Sequence, residues 1–330
     1  MVQHPISAGC GLPHLIAAAS AGLEQAAYCD AEEQAAALTG WNQSYLQLSG
    51  GGFHGAIQRV NLGAVRLFME ELGSTVYQTG FLNDGVLALG VPLYCATSGM
   101  FCGTPSGRDA LHVFSGRSGF EFRTGSDHVM MGIELDAEVA SALYADSDNL
   151  NLHDKEAGIV ATEPGALDAL RQVMSMLFDT ANATPNLFDS PALRLGMVDT
   201  LVEKIIALNI APTNAEATHA SHWHLVQASR CMVEDQLHQP PTVSELCTHL
   251  GVSRRTLQNA FQRVLGISPL SYLRAIRLGA ARNALKSASS VTDAATALGF
   301  WHFGHFAKDY QAMFGELPSQ THRRYAPALQ

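Results

Sequence analysis

The chain has 330 residues, 47% of them hydrophobic, enough for roughly two domains that each bury a core, and its formal charge is −10. That charge argues against a nucleic-acid partner only if it is evenly spread, and it is not. Residues 1–220 carry 9 basic and 24 acidic side chains, a net charge of −15, whereas residues 221–330 carry 11 basic and 6 acidic, a net charge of +5.

The N-terminal MVQHPISAGCGLPHLIAAAS has no basic region ahead of its short apolar run, and no eighteen apolar residues follow one another anywhere, so neither a signal peptide nor a membrane span is expected. Six cysteines (Cys10, Cys29, Cys95, Cys102, Cys231 and Cys247) show no CxxC pairing, which fits reduced thiols in a cytoplasmic protein better than disulfides or zinc.

Residues 13–40 are Ala-rich, and Asp30, Glu32 and Glu33 open a second segment, so residues 1–48 read as a helical extension. Residues 49–136 change texture. Short β-branched and aromatic runs (GVLALGVPLYC, ALHVFSG, GFEFRTG, HVMMGIELD) alternate with Gly, Pro, Asn and Asp, as in an antiparallel sandwich or barrel. Residues 137–209 turn helical. Ala166, Leu167, Leu170, Val173, Met174 and Leu177 recur at helical spacing, as do residues 193–208, in stripes that serve either a core or a dimer contact. IAPTNAEATHAS, 210–221, reads as a linker.

Beyond it lies a repeated pattern. Thr242 with Glu245 makes a capping box, and Val243, Leu246, Cys247 and Leu250 follow at i, i+3, i+4 and i+7. Gly251 supplies a left-handed turn and Ser253 caps a second helix held by Leu257, Phe261, Val264 and Leu265. This is a helix-turn-helix over 242–265. Val291, Ala294, Ala295, Leu298 and Gly299 repeat the first helix and its turn 48 residues later. Phe306, Tyr310, Phe314, Gly315 and Pro318 then repeat Leu257, Phe261, Leu265, Gly266 and Pro269 at an offset of 49, so a second unit, 290–314, has one residue added in its turn. Between the units, LSYLRAIRLGAARNALKSA reads as a linking helix of roughly 25 Å.

RLGAARNAL and GFWHFGHFAKDYQAMFGELPS, with their GF, F, FG and PS positions, resemble the signature of the AraC/XylS family of transcription regulators, and the resemblance spans about residues 222–327. It implies an α+β protein: an all-α C-terminal domain of two helix-turn-helix units on a linker helix, behind an N-terminal antiparallel cupin-like β-barrel with helices. It also implies double-stranded promoter DNA and RNA polymerase as partners, a homodimer, an activator role and a small-molecule effector of unknown identity. An effector-free dimer whose front half binds another protein is the alternative.

On the first recognition helix Arg254, Arg255, Gln258, Asn259 and Gln262 suit DNA: Arg pairs bidentately with guanine, Gln and Asn with adenine. The resemblance makes Arg255, Gln258 and Asn259 the base readers and leaves Arg254 and Gln262 nearer the backbone. The second helix offers His302, His305 and Lys308 and is poorer, suited to phosphate more than to sequence. In the barrel Tyr94, Phe101, Phe114 and Phe122, with Phe120, could line an effector pocket that Arg123 anchors, or simply fill the interior. A cupin metalloenzyme is disfavoured, because His54, His112 and His128 are too scattered for a metal set. No phosphate loop, nucleophile elbow or dinucleotide fingerprint occurs, so no catalytic residue, metal or cofactor is expected.

Overall fold

A computed structural model of the chain describes residues 23–83, 86–115, 119–136, 139, 156–163, 165–210 and 217–325. The front half is built on strands β1 (Leu23–Tyr28), β2 (Ser44–Gln47), β3 (Gly55–Asn61), β4 (Val65–Leu72), β5 (Val76–Gly80), β6 (Leu87–Cys95), β7 (Gly99–Phe101), β8 (Thr104–Ser106), β9 (Leu111–Ser115), β10 (Phe120–Arg123), β11 (His128–Leu135) and β12 (Gly158–Val160). They form a seven-stranded antiparallel sheet, β1-β3-β4-β11-β6-β9-β12, and a five-stranded one, β2-β5-β10-β7-β8.

The two sheets enclose an aromatic core in which Phe68, Phe114 and Met130 meet Phe101, Phe120 and Phe122, with Trp41 edge-on to Phe68 and Phe114. The other face of the large sheet (Leu67, Leu89, Met131, Ile133) is covered by helices α2 (Ala166–Ala183) and α3 (Pro191–Ile206) through Leu170, Met174, Phe178, Leu201 and Ile205. Burial on both faces explains why LALGVPLYC reads as a continuous apolar run rather than an alternation.

Three boundaries differ from the sequence reading. Residues 23–28, in the stretch expected to be helical, form β1, because all six pair in register with β3, from Leu23 opposite Val60 to Tyr28 opposite Gly55, and that pairing overrides the helix propensity of Ala26 and Ala27. The helix expected next is present as α1 (Ala31–Ala37), whose N-cap Asp30 accepts from the Glu32 and Glu33 amides. Membership of β1 and β2 moves the start of the sheet domain ahead of residue 49. Likewise β12 falls inside the segment expected to be helical, since it completes the edge beside β9. The expected linker 210–221 ends in helix from Ala217; residues 1–22, 211–216 and most of 137–155 lie outside the described residues.

The C-terminal third contains α4 (Ala217–Glu234), α5 (Val243–Leu250), α6 (Arg254–Val264), α7 (Pro269–Leu285), α8 (Val291–Ala297), α9 (Phe303–Phe314) and α10 (Pro318–Tyr325). The Thr242–Glu245 capping box closes, Gly251 sits at φ +65° and Gly299 at +72°, and Ser253 and Ser290 cap α6 and α8. Two separate cores lie along α7: Leu246, Leu257, Phe261 and Tyr272 in the first, and Leu285, Ala295, Phe306 and Tyr310 in the second.

Candidate nucleic-acid interface

At about 100° per residue, Arg254, Arg255, Gln258, Asn259 and Gln262 fall within an arc of about 140° on α6, and Leu257, Ala260, Phe261 and Val264 occupy the opposite arc. Burial follows that division: the five polar residues are exposed and the four apolar ones are buried. The Gln262 amide donates to the Gly266 carbonyl at 3.1 Å and so closes its own helix end, which sets it apart from Gln258 and Asn259, each about one turn nearer the N-terminus.

On α9 the N-cap His302, then His305 and Lys308, are exposed, and Phe306, Tyr310 and Phe314 are buried. The His302 and His305 rings stand edge-on at 6.4 Å. Gly304 opens on empty space, so this position of the first turn presents no side chain to a partner. No group of three potential metal ligands occurs among the described residues.

The residue that sequence reasoning passed over is Trp301. Val252 in the first turn and Phe300 in the second are both partly buried, Phe300 under the Arg277 guanidinium at 4.3 Å. Trp301 is therefore the added residue, and its side chain, 71% exposed, lies in a groove between the two units shared with Arg254, Leu270, Arg277, His302 and His305. The shift of the repeat from 48 to 49 residues was the available signal.

The proposed effector residues are not gathered in one cavity. Phe101, Phe114 and Phe122 pack against each other and against His112, which stacks on Phe101 at 4.5 Å. The space left beside Phe114 and Phe122, about 10 Å³, suffices for a single water. Tyr94 is 54% exposed at the end of β6. Arg123 turns toward the helical domain, donating to the carbonyls of Val264 and Ser98, each at 3.1 Å.

Charged side chains join the two halves at two further places. Glu121 accepts from Tyr77, from Trp223 Nε1 at 2.9 Å and from Arg230 at 3.2 Å. Asp30 meets Arg282 and Lys286. A cleft of about 190 Å³ lies between these contacts, bounded by Glu32, Tyr45, Tyr77, Tyr272 and Ile276. The Glu32 carboxyl beside it is pushed up to about 7 by burial and by the Asp30 charge.

A family model described as a helix-turn-helix domain matches residues 246–324. The XylDLEGF operon transcriptional activator 3 of Pseudomonas putida is 29% identical over 162 residues, 48% of either chain. The XylDLEGF operon transcriptional activator 2 of the same organism is 30% identical over 128 residues, 36% of this chain and 80% of that one. Among solved structures, an AraC-type transcriptional regulator from Chromobacterium violaceum is 27% identical, covering 33% of this chain and 98% of that one with a TM-score of 0.31. The chain spans about half the length of the first of these curated relatives.

Proposed function

Because the chain belongs to the AraC/XylS family of transcription regulators, we propose that it binds double-stranded promoter DNA in a sequence-specific manner and activates transcription. The observation that carries this reading is that both recognition helices present exposed polar faces from one basic domain, while the acidic front half packs against their other ends. Arg255, Gln258 and Asn259 read base edges, Arg254 and Gln262 lie along the backbone, and His302, His305 and Lys308 hold phosphate. Selection from a random duplex library followed by footprinting tests the reading. It stands on enrichment of one motif with two protected segments a helical turn apart, and fails if no motif emerges.

The front half regulates. With the barrel interior filled, an effector enters the cleft between the halves, where Glu32 is poised to change charge near neutrality. A thermal-shift screen of the full chain against aromatic acids, sugars and nucleotides identifies it; if no compound shifts the melt, the front half acts by assembly alone. Met176, Leu193, Leu195 and Ile206 are exposed on the outer faces of α2 and α3, which supports a homodimer through those helices, measurable by sedimentation. The protein works in the cytoplasm with RNA polymerase as a partner, and acts as a regulator like the relatives named as transcriptional activators.

A further inference from the structure

The two reading units share α7 but have separate buried cores, and across the groove between them His238 Nδ1 lies 3.2 Å from the Ala297 carbonyl, so few contacts besides the rod limit how far one can rotate against the other. Yet both recognition helices are also held from the front half, each at its C-terminal end. Arg123, the last residue of β10, donates through Nε to the carbonyl of Val264, the last residue of α6, at 3.1 Å. Its positive charge sits at the negative end of that helix dipole. At α9, the Gly51 amide donates to the Ala312 carbonyl at 3.1 Å, and Gln47 Nε2 donates to the Met313 carbonyl at 2.9 Å.

The second grip is backbone against backbone. A Cβ on Gly50 would lie 2.8 Å from the Ala312 oxygen, and one on Gly315, which ends α9 at φ +72°, would lie 2.8 Å from the Gly52 nitrogen. Close approach is what the three consecutive glycines at 50–52 provide. Gln47 fixes their loop by donating to the Ser49 and Gly51 carbonyls as well.

Both grips belong to one sheet. β2 and β10 flank β5, with Gln47 opposite Val76 and Arg123 opposite Tyr77, so the two points of hold are neighbours in register and about 10 Å apart across two strand spacings. We propose that this five-stranded sheet is a gauge that fixes the separation and relative rotation of α6 and α9. Arg123, Gln47 and Gly50 are then positioning residues that determine which spacing between two DNA segments the protein accepts. The inference rests on the reading of α6 and α9 as DNA-entering helices. Inserting one base pair displaces the second segment by about 3.4 Å along the duplex and turns it by about 35°, which a rigid pair of helices rejects and a loosened pair tolerates.

The test uses the full chain and a site selected from a random duplex library, together with versions of that site carrying one base pair more or fewer between the two protected segments. Wild type is expected to discriminate against each altered spacing by about tenfold. Arg123→Met and, independently, Gly50→Ala should cut that ratio to about threefold or less, with Arg123→Lys recovering part of it through its single donated bond. Overall affinity and melting temperature are recorded in parallel, because a merely structural role would lower affinity on all spacings alike and leave the ratio unchanged. An unchanged ratio in both variants overturns the gauge. Failure of wild type to bind any selected duplex overturns instead the DNA reading on which it stands.

Discussion

Asp30 and Arg282, 252 positions apart in the chain, form an ion pair at 2.6 Å in which the side chains keep only 2% and 8% of their surface exposed. Lys286 approaches the same Asp30 oxygen at 3.1 Å, and Glu316 lies 3.0 Å from Arg282. The pair ties the start of α1 to the linker helix, so it couples the front half to the rod that carries both reading units.

Burial alone would raise the Asp30 carboxyl, but the charges of Arg282 and Lys286 outweigh it and hold the group below its usual range. Asp30→Asn keeps an N-cap for α1 and removes the charge, leaving Arg282 with Glu316 alone; we predict a loss of about 3 kcal/mol in urea melts at neutral pH. A carboxyl lowered by folding contributes stability above its ordinary pKa of about 3.9 and loses it as pH falls through the folded value. The difference between wild type and Asp30→Asn should therefore shrink below about pH 4. Equal stability of the two at neutral pH would remove the pair from the account of domain coupling.

His112 and His128 flank the Phe122 ring at 5.0 and 5.3 Å and are buried, with no hydrogen-bond partner among the described residues for His112 Nδ1 or for either nitrogen of His128. Burial, with His128 adding to it, pushes His112 down to about 3, and burial pushes His128 down to about 4. The unfolded chain takes up both protons near pH 6.5, before the folded one does, so this contribution is complete above 6.5 and is lost as pH falls toward 4. We predict a slope approaching about 2.7 kcal/mol per pH unit in that window, halved in His128→Leu. Urea melts from pH 7 to about 4.5 measure it, and equal slopes would refute the assignment.

The helix-turn-helix pair was legible because its signals are local: a capping box at Thr242, turn glycines at 251 and 299, and apolar residues at fixed intervals. β1 was not, because Ala26 and Ala27 favour helix until β3 lies beside them. The grip of Gln47 on Met313 joins residues 266 positions apart, and its sole local trace is the glycine run at 50–52. Arg123 was placed with the phenyl rings of its strand, yet its destination is set by α6, 141 positions later. In each case the missed feature depends on pairing across the fold, for which no short window of sequence carries a period.

The exposed arc on α6 yields a prediction about specificity. Arg255→Ala, Gln258→Ala and Asn259→Ala should each cost on the order of 1–3 kcal/mol on the selected site and far less on a scrambled duplex, because base contacts specify and phosphate contacts position. None of the three side chains is buried, so melting temperatures should hold. Titrations on both duplexes decide, and equal losses would return these residues to an ordinary solvated face.

The three tryptophans give the second unit its own optical reporter. Trp41 is buried at 3% exposure with its Nε1 donated to Glu134, and Trp223 is half-buried against Glu121, so Trp301 is the one open to a quencher. It stands immediately before the N-cap of α9, in the groove where Arg254 and Arg277 place positive charge, so DNA entering both units must pass over it. We predict that the selected duplex shields Trp301 from acrylamide and shifts its emission to the blue, and that Trp301→Phe abolishes the shielded component without changing the melt. Covering part of an indole in this way contributes about 1–2 kcal/mol, so Trp301→Ala should weaken binding by roughly tenfold. If Trp301 stays as quenchable in the complex as in the unbound protein, the second unit does not meet DNA through this turn, and the one added residue of the repeat serves something other than the duplex.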